Sequence, residues 1–223
     1  MINLGLPSNS GKTWTDRSTA GSEISGNKNW YSIAISSNGE KLAAVVGGSY
    51  SSSTVSGHLY TAWNRGRTWI DRSAQTGSGI SGNKNWTSVA MSDDGQKLAA
   101  VVASGHIYTS SNSGATWTNR STPTGSEIAG DKYWISIAMS GNGEKLAAVD
   151  GDSSGGHIYT SSNSGAKWAD LSIVPDSAIG GNRIWRSIAM SDNGDELAAV
   201  AYNGHLYTAT KSGTTWTWTD RSE

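Results

Sequence analysis

The sequence is defined first by what it lacks. Among its 223 residues there is no cysteine and no phenylalanine. The missing cysteines remove disulfides, thiolate metal sites and cysteine nucleophiles together, and they leave the redox compartment open, because a cysteine-free chain folds anywhere. Charge of either sign is also missing in excess: 17 Lys and Arg stand against 18 Asp and Glu, a formal net charge of −1. Such a chain projects no long-range field toward nucleic acid or an anionic membrane, so neither is expected as a partner. No apolar run approaches membrane-spanning length, and Met-Ile-Asn-Leu-Gly-Leu-Pro at the start has neither a basic region nor a long apolar one. Membrane insertion is therefore not expected, no secretion signal is recognisable, and a secreted or cell-surface origin stays open. The aromatic complement is eleven Trp and eight Tyr. Every one carries a polar handle that seeks a partner when buried, which suits blade edges and binding surfaces.

What is present is repetition. The pentapeptide ending at Trp30 recurs ending at Trp86, Trp134 and Trp185, at spacings of 56, 48 and 51 residues. A second landmark, G-H-[LI]-Y-T, carries His58, His106, His157 and His205 at spacings of 48, 51 and 48. A unit of this length recurring four times points to propeller blades. Within each unit W-x-S-[IV]-A-[IM]-S reads as a first strand (A) that ends at Asn38-Gly39, Asp94-Gly95, Asn142-Gly143 or Asn193-Gly194, all turn signals. [KE]-L-A-A-V is strand B, G-H-[LI]-Y-T strand C, and T-W-T-D-R-S with its counterparts strand D, each apolar enough to be covered on both faces. The fold expected is all-β, a propeller of four-stranded antiparallel blades over residues 26–73, 82–121, 130–172 and 181–222, preceded by a C/D half-blade at 1–18, in one domain of 1–223. Gly/Ser/Thr-rich D–A connections of about a dozen residues cross from the outer edge of one blade to the axis of the next.

The turn from Ser111 to Trp117 and its counterparts from Ser8, Trp63, Ser162 and Thr210 resemble the Asp-box, or BNR, repeat S-x-D-x-G-x-T-W of sialidase-like propellers. The resemblance implies a folded turn capped by a short polar side chain, with the tryptophan packed between sheets: Asn9, Gly11 and Trp14; Asn64, Gly66 and Trp69; Asn112, Gly114 and Trp117; Asn163, Gly165 and Trp168; and Gly213 and Trp216, where Lys211 replaces the capping residue. The box is structural. The sialidase machinery that the family would imply (an arginine cluster, a tyrosine–glutamate pair and an aspartate) has no match residue by residue, and the arginine-isoleucine-proline signature is absent.

Five boxes face four A strands, so one D strand is surplus. Either residues near Thr13 to Arg17 pair with the last C strand in place of Trp216 to Arg221, or the array closes by association with other copies, making a homo-oligomer, or the sequence is a piece of a longer repeat protein. Hairpin topology puts the B–C and D–A connections at one end of every blade, where function is expected to sit. Gathered there are Lys28, Lys84, Lys132 and Arg183, the tryptophans at 30, 86, 134 and 185, and the four histidines. These form a candidate multivalent site for carbohydrate or a protein surface. The simpler reading wedges the tryptophans between blades and makes each histidine a partner of the tyrosine two residues on. Neighbouring histidines sit a sheet spacing of ~10 Å apart, too far for a shared metal, so no metal and no cofactor is expected. Two further readings stand beside the binder. One is a hydrolase of glycosidase or esterase type with one asymmetric site, drawing on Glu23 or Glu127 with Asp131 or Asp152. The other is an amplified or engineered array with no selected ligand.

Overall fold

The computed structural model describes residues 15–18, 21–47, 57–121, 127–151, 154–173, 178–180, 183–202 and 204–222. Asn9, Gly11, Trp14 and Asp152 lie outside them. Residues 15–18 carry no strand.

Among the described residues sixteen strands form four antiparallel sheets of four, each in sequence order. Blade one is β1 (Trp30–Ile35), β2 (Leu42–Val46), β3 (Leu59–Trp63) and β4 (Thr68–Asp71). Blade two is β5 (Trp86–Met91), β6 (Leu98–Val102), β7 (Ile107–Ser110) and β8 (Thr118–Asn119). Blade three is β9 (Trp134–Met139), β10 (Leu146–Asp150), β11 (Ile158–Ser161) and β12 (Ala169–Asp170). Blade four is β13 (Trp185–Met190), β14 (Glu196–Ala201), β15 (Leu206–Ser212) and β16 (Thr215–Asp220). These are the units expected from the repeat. The A–B turns close as their residues dictate: Ser36 donates its hydroxyl to the Asn38 side-chain oxygen (2.8 Å), which also accepts from the Glu40 N–H (3.0 Å). Ser92 with Asp94, Ser140 with Asn142 and Ser191 with Asn193 repeat the contact.

The C–D turns of blades two and three are built alike. The Gly114 N–H donates to the Ser110 hydroxyl (3.0 Å), the Asn112 side-chain oxygen accepts from the Thr116 N–H (2.9 Å), and the Trp117 indole N–H reaches the Gly114 carbonyl (3.0 Å). Ser161, Asn163, Gly165 and Trp168 reproduce this. Gly114 and Gly165 sit at φ 80° and 81°, where a side chain would be strained. Strand D is shorter than expected in blade two because the Trp117 N–H turns away from the ladder to the Ser78 carbonyl of the preceding D–A loop (2.8 Å). The fifth copy folds differently. β15 runs on to Ser212 and pairs with β16 through a tight Gly213–Thr214 hairpin. Lys211 offers no side-chain acceptor to hold the wider turn, and Trp216 lies on the strand. Since β16 pairs with β15 from Tyr207 to Ser212, the last D strand is not displaced by residues near the N-terminus.

Blades stack through A on A: β1 on β5, β5 on β9 and β9 on β13. Three apolar layers result. Ala43, Val45 and Leu59 of blade one close on Trp86, Val89, Leu98 and Tyr108 of blade two. Ala99, Val101 and Ile107 close on Trp134, Ile137 and Tyr159, and Ala147, Val149 and Ile158 on Trp185, Ile188 and Tyr207. The D–A loops, read from sequence as polar crossings, each send one isoleucine into the blade that follows: Ile24, Ile80, Ile128 and Ile179 are buried. Each anchors its loop with about 1.5–3 kcal/mol of burial.

Candidate functional site

At the end of each blade where strands A and C begin and D finishes, five groups meet. In blade one the Tyr60 ring is the centre. Trp30 stands edge-on to it (5.6 Å, 62°), His58 stacks against it (6.1 Å, 28°), and the Lys28 ammonium lies 5.5 Å from its centroid. Asp71, from the end of strand D, takes a hydrogen bond from His58 Nδ1 and from the Ser73 N–H (3.0 Å). Blades three and four repeat the set as Lys132, Trp134, His157, Tyr159 and Asp170, and as Arg183, Trp185, His205, Tyr207 and Asp220. Blade two has Lys84, Trp86, His106 and Tyr108, but Asn119 replaces the aspartate, and His106 Nδ1 is buried without a partner.

In each blade the structure brings the candidate cation, tryptophan and histidine together around a tyrosine. Trp86, Trp134 and Trp185 have no exposed surface and lie between blades, so no ligand can stack on them. Trp30 alone is 41% exposed. The histidines do share a strand face with tyrosines, but their hydrogen bonds go elsewhere. His58 Nδ1 binds its own strand D, and His58 Nε2 lies 2.8 Å from Asn83 at the start of the next blade. His106 Nε2 faces Asp131 in the same way at 3.5 Å. His58 and His106 thus bridge successive blades, and both nitrogens of His58 are occupied. Among the described residues no group of three His, Cys, Asp or Glu side chains could hold a metal ion.

Of the carboxylate pairings suggested by sequence, Glu127 and Asp131 serve different partners. Glu127 accepts the Asp170 N–H, whereas Asp131 serves His106 in blade two. The aspartates that end strand D in blades one, three and four are the histidine partners, and the arginines that follow strand D in blades one, two and four are structural: Arg72, Arg120 and Arg221 donate Nε to Thr61, Thr109 and Thr208 at 2.7, 2.7 and 2.9 Å. Only long-range pairing reveals these roles. Blade three adds one side chain without an equivalent, Asp150, which replaces Val46, Val102 and Ala201 at the end of strand B and accepts the His157 N–H at 2.7 Å. Burial holds the Asp150 carboxyl above the usual aspartate range.

Burial first, then the Asp71 carboxylate, pushes the Tyr60 hydroxyl up to about 12. The same order of causes raises Tyr159, with burial ahead of Asp150 and Asp170, and Tyr108, with burial ahead of Asp131. These phenols stay protonated as donors and supply no phenolate nucleophile at neutral pH. What the arrangement presents outward is a row of half-buried cations, one per blade, each seated over a tyrosine ring.

Four-stranded antiparallel blades stacked through their first strands make this a β-propeller fold. In fold it is similar to an ancestral GH74 enzyme (20% identity, TM-score 0.64, over 87% of this chain and 28% of that one). It is likewise similar to YCF48 bound to D1 peptide (21%, 0.55, over 88% and 56%) and to the Niastella koreensis GH74 enzyme (20%, 0.52, over 84% and 24%). The chain spans between about a quarter and a little over half the length of these structures. At such identity the likeness extends to the fold alone. No protein-family model matches the sequence, and no curated protein sequence matches it.

Proposed function

We propose that residues 1–223 are one propeller unit of Asp-box type whose work is recognition rather than catalysis, and that the D–A and B–C end binds a protein surface. One observation carries this reading: the cation, tryptophan, histidine and tyrosine recur together in all four blades, and in blades one, three and four the histidine is already committed to a strand-D aspartate. Tyrosines are kept protonated, and His58 is bonded through both nitrogens. A selected catalyst breaks symmetry; a multivalent binder keeps it. The capped Ser110–Trp117 turn supports the Asp-box assignment.

The ligand chemistry follows from the outward groups. Lys28, Lys84, Lys132 and Arg183 suit an extended segment carrying carboxylates or carboxamides at intervals, each weak contact adding to the others. Buried tryptophans argue against neutral sugars held by ring stacking; an acidic glycan uses the same cations. The peptide bound by the structural neighbour YCF48 is in keeping with a protein partner. The test is a joint array of acidic peptides and glycans. Binding of acidic peptides, lost stepwise in K84A and K132A, supports the reading; binding that survives both changes sinks it.

A second reading rests on blade three, where Asp150, Asp170 and Glu127 gather around His157 and Lys132. Three carboxylates in one cluster could serve a single hydrolytic site, and turnover of a glycoside or ester lost in D150N would favour it.

A further inference from the structure

The two ends of the array are the two halves of one missing junction. Toward a preceding blade, blade one presents Ile33, 65% exposed, whereas the same position in blades two, three and four (Val89, Ile137, Ile188) is 5% exposed. Toward a following blade, blade four presents Leu206, 41% exposed, whereas Leu59, Ile107 and Ile158 are fully buried. Ile24, Ala44, Val46, Tyr60 and Trp69 form a half-layer on blade one. Ala198, Val200 and Leu206 stand where Ala43, Val45 and Leu59 close the first complete layer.

Polar groups obey the same arithmetic. The Ser37 N–H donates to the Asp93 carbonyl (2.9 Å), Asp93 to Gly141 (2.8 Å) and Gly141 to Asp192 (2.8 Å), so the series ends with the Asp192 N–H as donor and the Ser37 carbonyl as acceptor. The hydroxyls of Ser32, Ser88 and Ser136 accept from the Val89, Ile137 and Ile188 N–H groups at 3.2–3.3 Å, which leaves Ser187 and Ile33 as the terminal members. His58 and His106 reach Asn83 and Asp131, and by the same register His205 would reach Asn27. Apolar and polar series therefore leave complementary remainders at opposite ends of one chain.

We propose that a second copy of this chain occupies these faces, head to tail, so that two copies close an eight-blade ring through two identical heterologous junctions. The inference does not depend on the ligand reading above. Continuity with the three internal junctions fixes the register, and eight blades lie within the ~4–8 that propellers use. One residue weakens the new junction relative to the internal ones. Where Lys41 and Lys145 donate to the Asp94 and Asn193 carbonyls of the next blade (3.0 and 2.9 Å), blade four carries Glu196, which has no proton to give.

The test is solution mass by light scattering across a dilution series of the full chain, with circular dichroism confirming that each variant is folded. Wild type is expected at twice its 23.3 kDa chain mass. I33E and L206E, each changing a side chain already exposed in the single chain, are each expected at the single-chain mass. Mixing the two restores a dimer, because one intact head then meets one intact tail. E196K is expected to hold the dimer to a roughly tenfold lower concentration. A wild-type monomer at every concentration, open assemblies larger than two, a dimer that survives L206E, a mixture that stays monomeric or an E196K variant no tighter than wild type would each overturn the proposal.

Discussion

The junction between blades one and two and the bare faces at the ends of the array are made from the same residues, and they differ only in whether a neighbour is there. Trp86 is fully buried and Trp30 is 41% exposed, although both open a strand with the same pattern on the same pentapeptide. Burial here is a property of the neighbouring blade, not of the strand that carries the side chain. A repeat protein is therefore most informative where its series stop, because the terminal members show which contacts the interior takes for granted.

The largest expected effect tests this contrast directly. Trp134→Ala should cost about 3–5 kcal/mol in chemical denaturation, as large-to-small changes in packed cores do, whereas Trp30→Ala in the dilute single chain should cost under about 1. Equal losses would mean that the end face is covered. A smaller pair of changes contrasts blades two and three. Asp170→Asn takes from His157 the carboxylate that orients it and should cost about 1–3 kcal/mol, while Asn119→Asp gives buried His106 Nδ1 an acceptor and should stabilise by about 1 kcal/mol. The same sign for both would contradict the strand-D carboxylate as the partner that orients the histidine.

The pH dependences are smaller and have opposite senses. Because the folded state holds the Tyr60 hydroxyl at about 12, an unfolded chain with an ordinary phenol near 10 releases its proton first. Stability is full below pH 10 and falls as pH rises through 12. Y60F should flatten that fall, and an unchanged alkaline limb would remove Tyr60 as its cause. Asp220, held down to about 2 chiefly by the Ser222 N–H and then by the Ser222 and His205 side chains, contributes stability above about pH 4 that is lost as pH falls toward 2. D220N should abolish that small acid-side loss and also trim part of the alkaline fall, because Asp220, after burial, helps to raise the Tyr207 hydroxyl.

Much of this was legible in the chain itself. Strands A to C and their turns follow from period-two patterning and Asn-Gly pairs, which are local signals. The capping asparagines Asn112 and Asn163 were likewise visible, whereas the hydroxyls of Ser110 and Ser161 that close the turns lie one residue before the turns as read. The histidine bridges were not, since Asn83 lies 25 residues beyond His58 and belongs to the next unit. Nor were the loop isoleucines, each alone among glycines and serines with no periodicity to mark it. The fate of the tryptophans was undecidable in principle from one unit, because wedge and platform use the same side chain and are separated only by the presence of the next blade.

The measurement that bears most directly on recognition by a repeated face uses the four histidines, one per blade, as reporters. Their ring signals can be followed by NMR while an acidic peptide that binds in the array is titrated to saturation. The account predicts that histidine signals from at least two blades move together, as equivalent sites fill. Movement confined to His157, with the other three unchanged, would contradict it and assign the chemistry to the single asymmetric cluster of blade three.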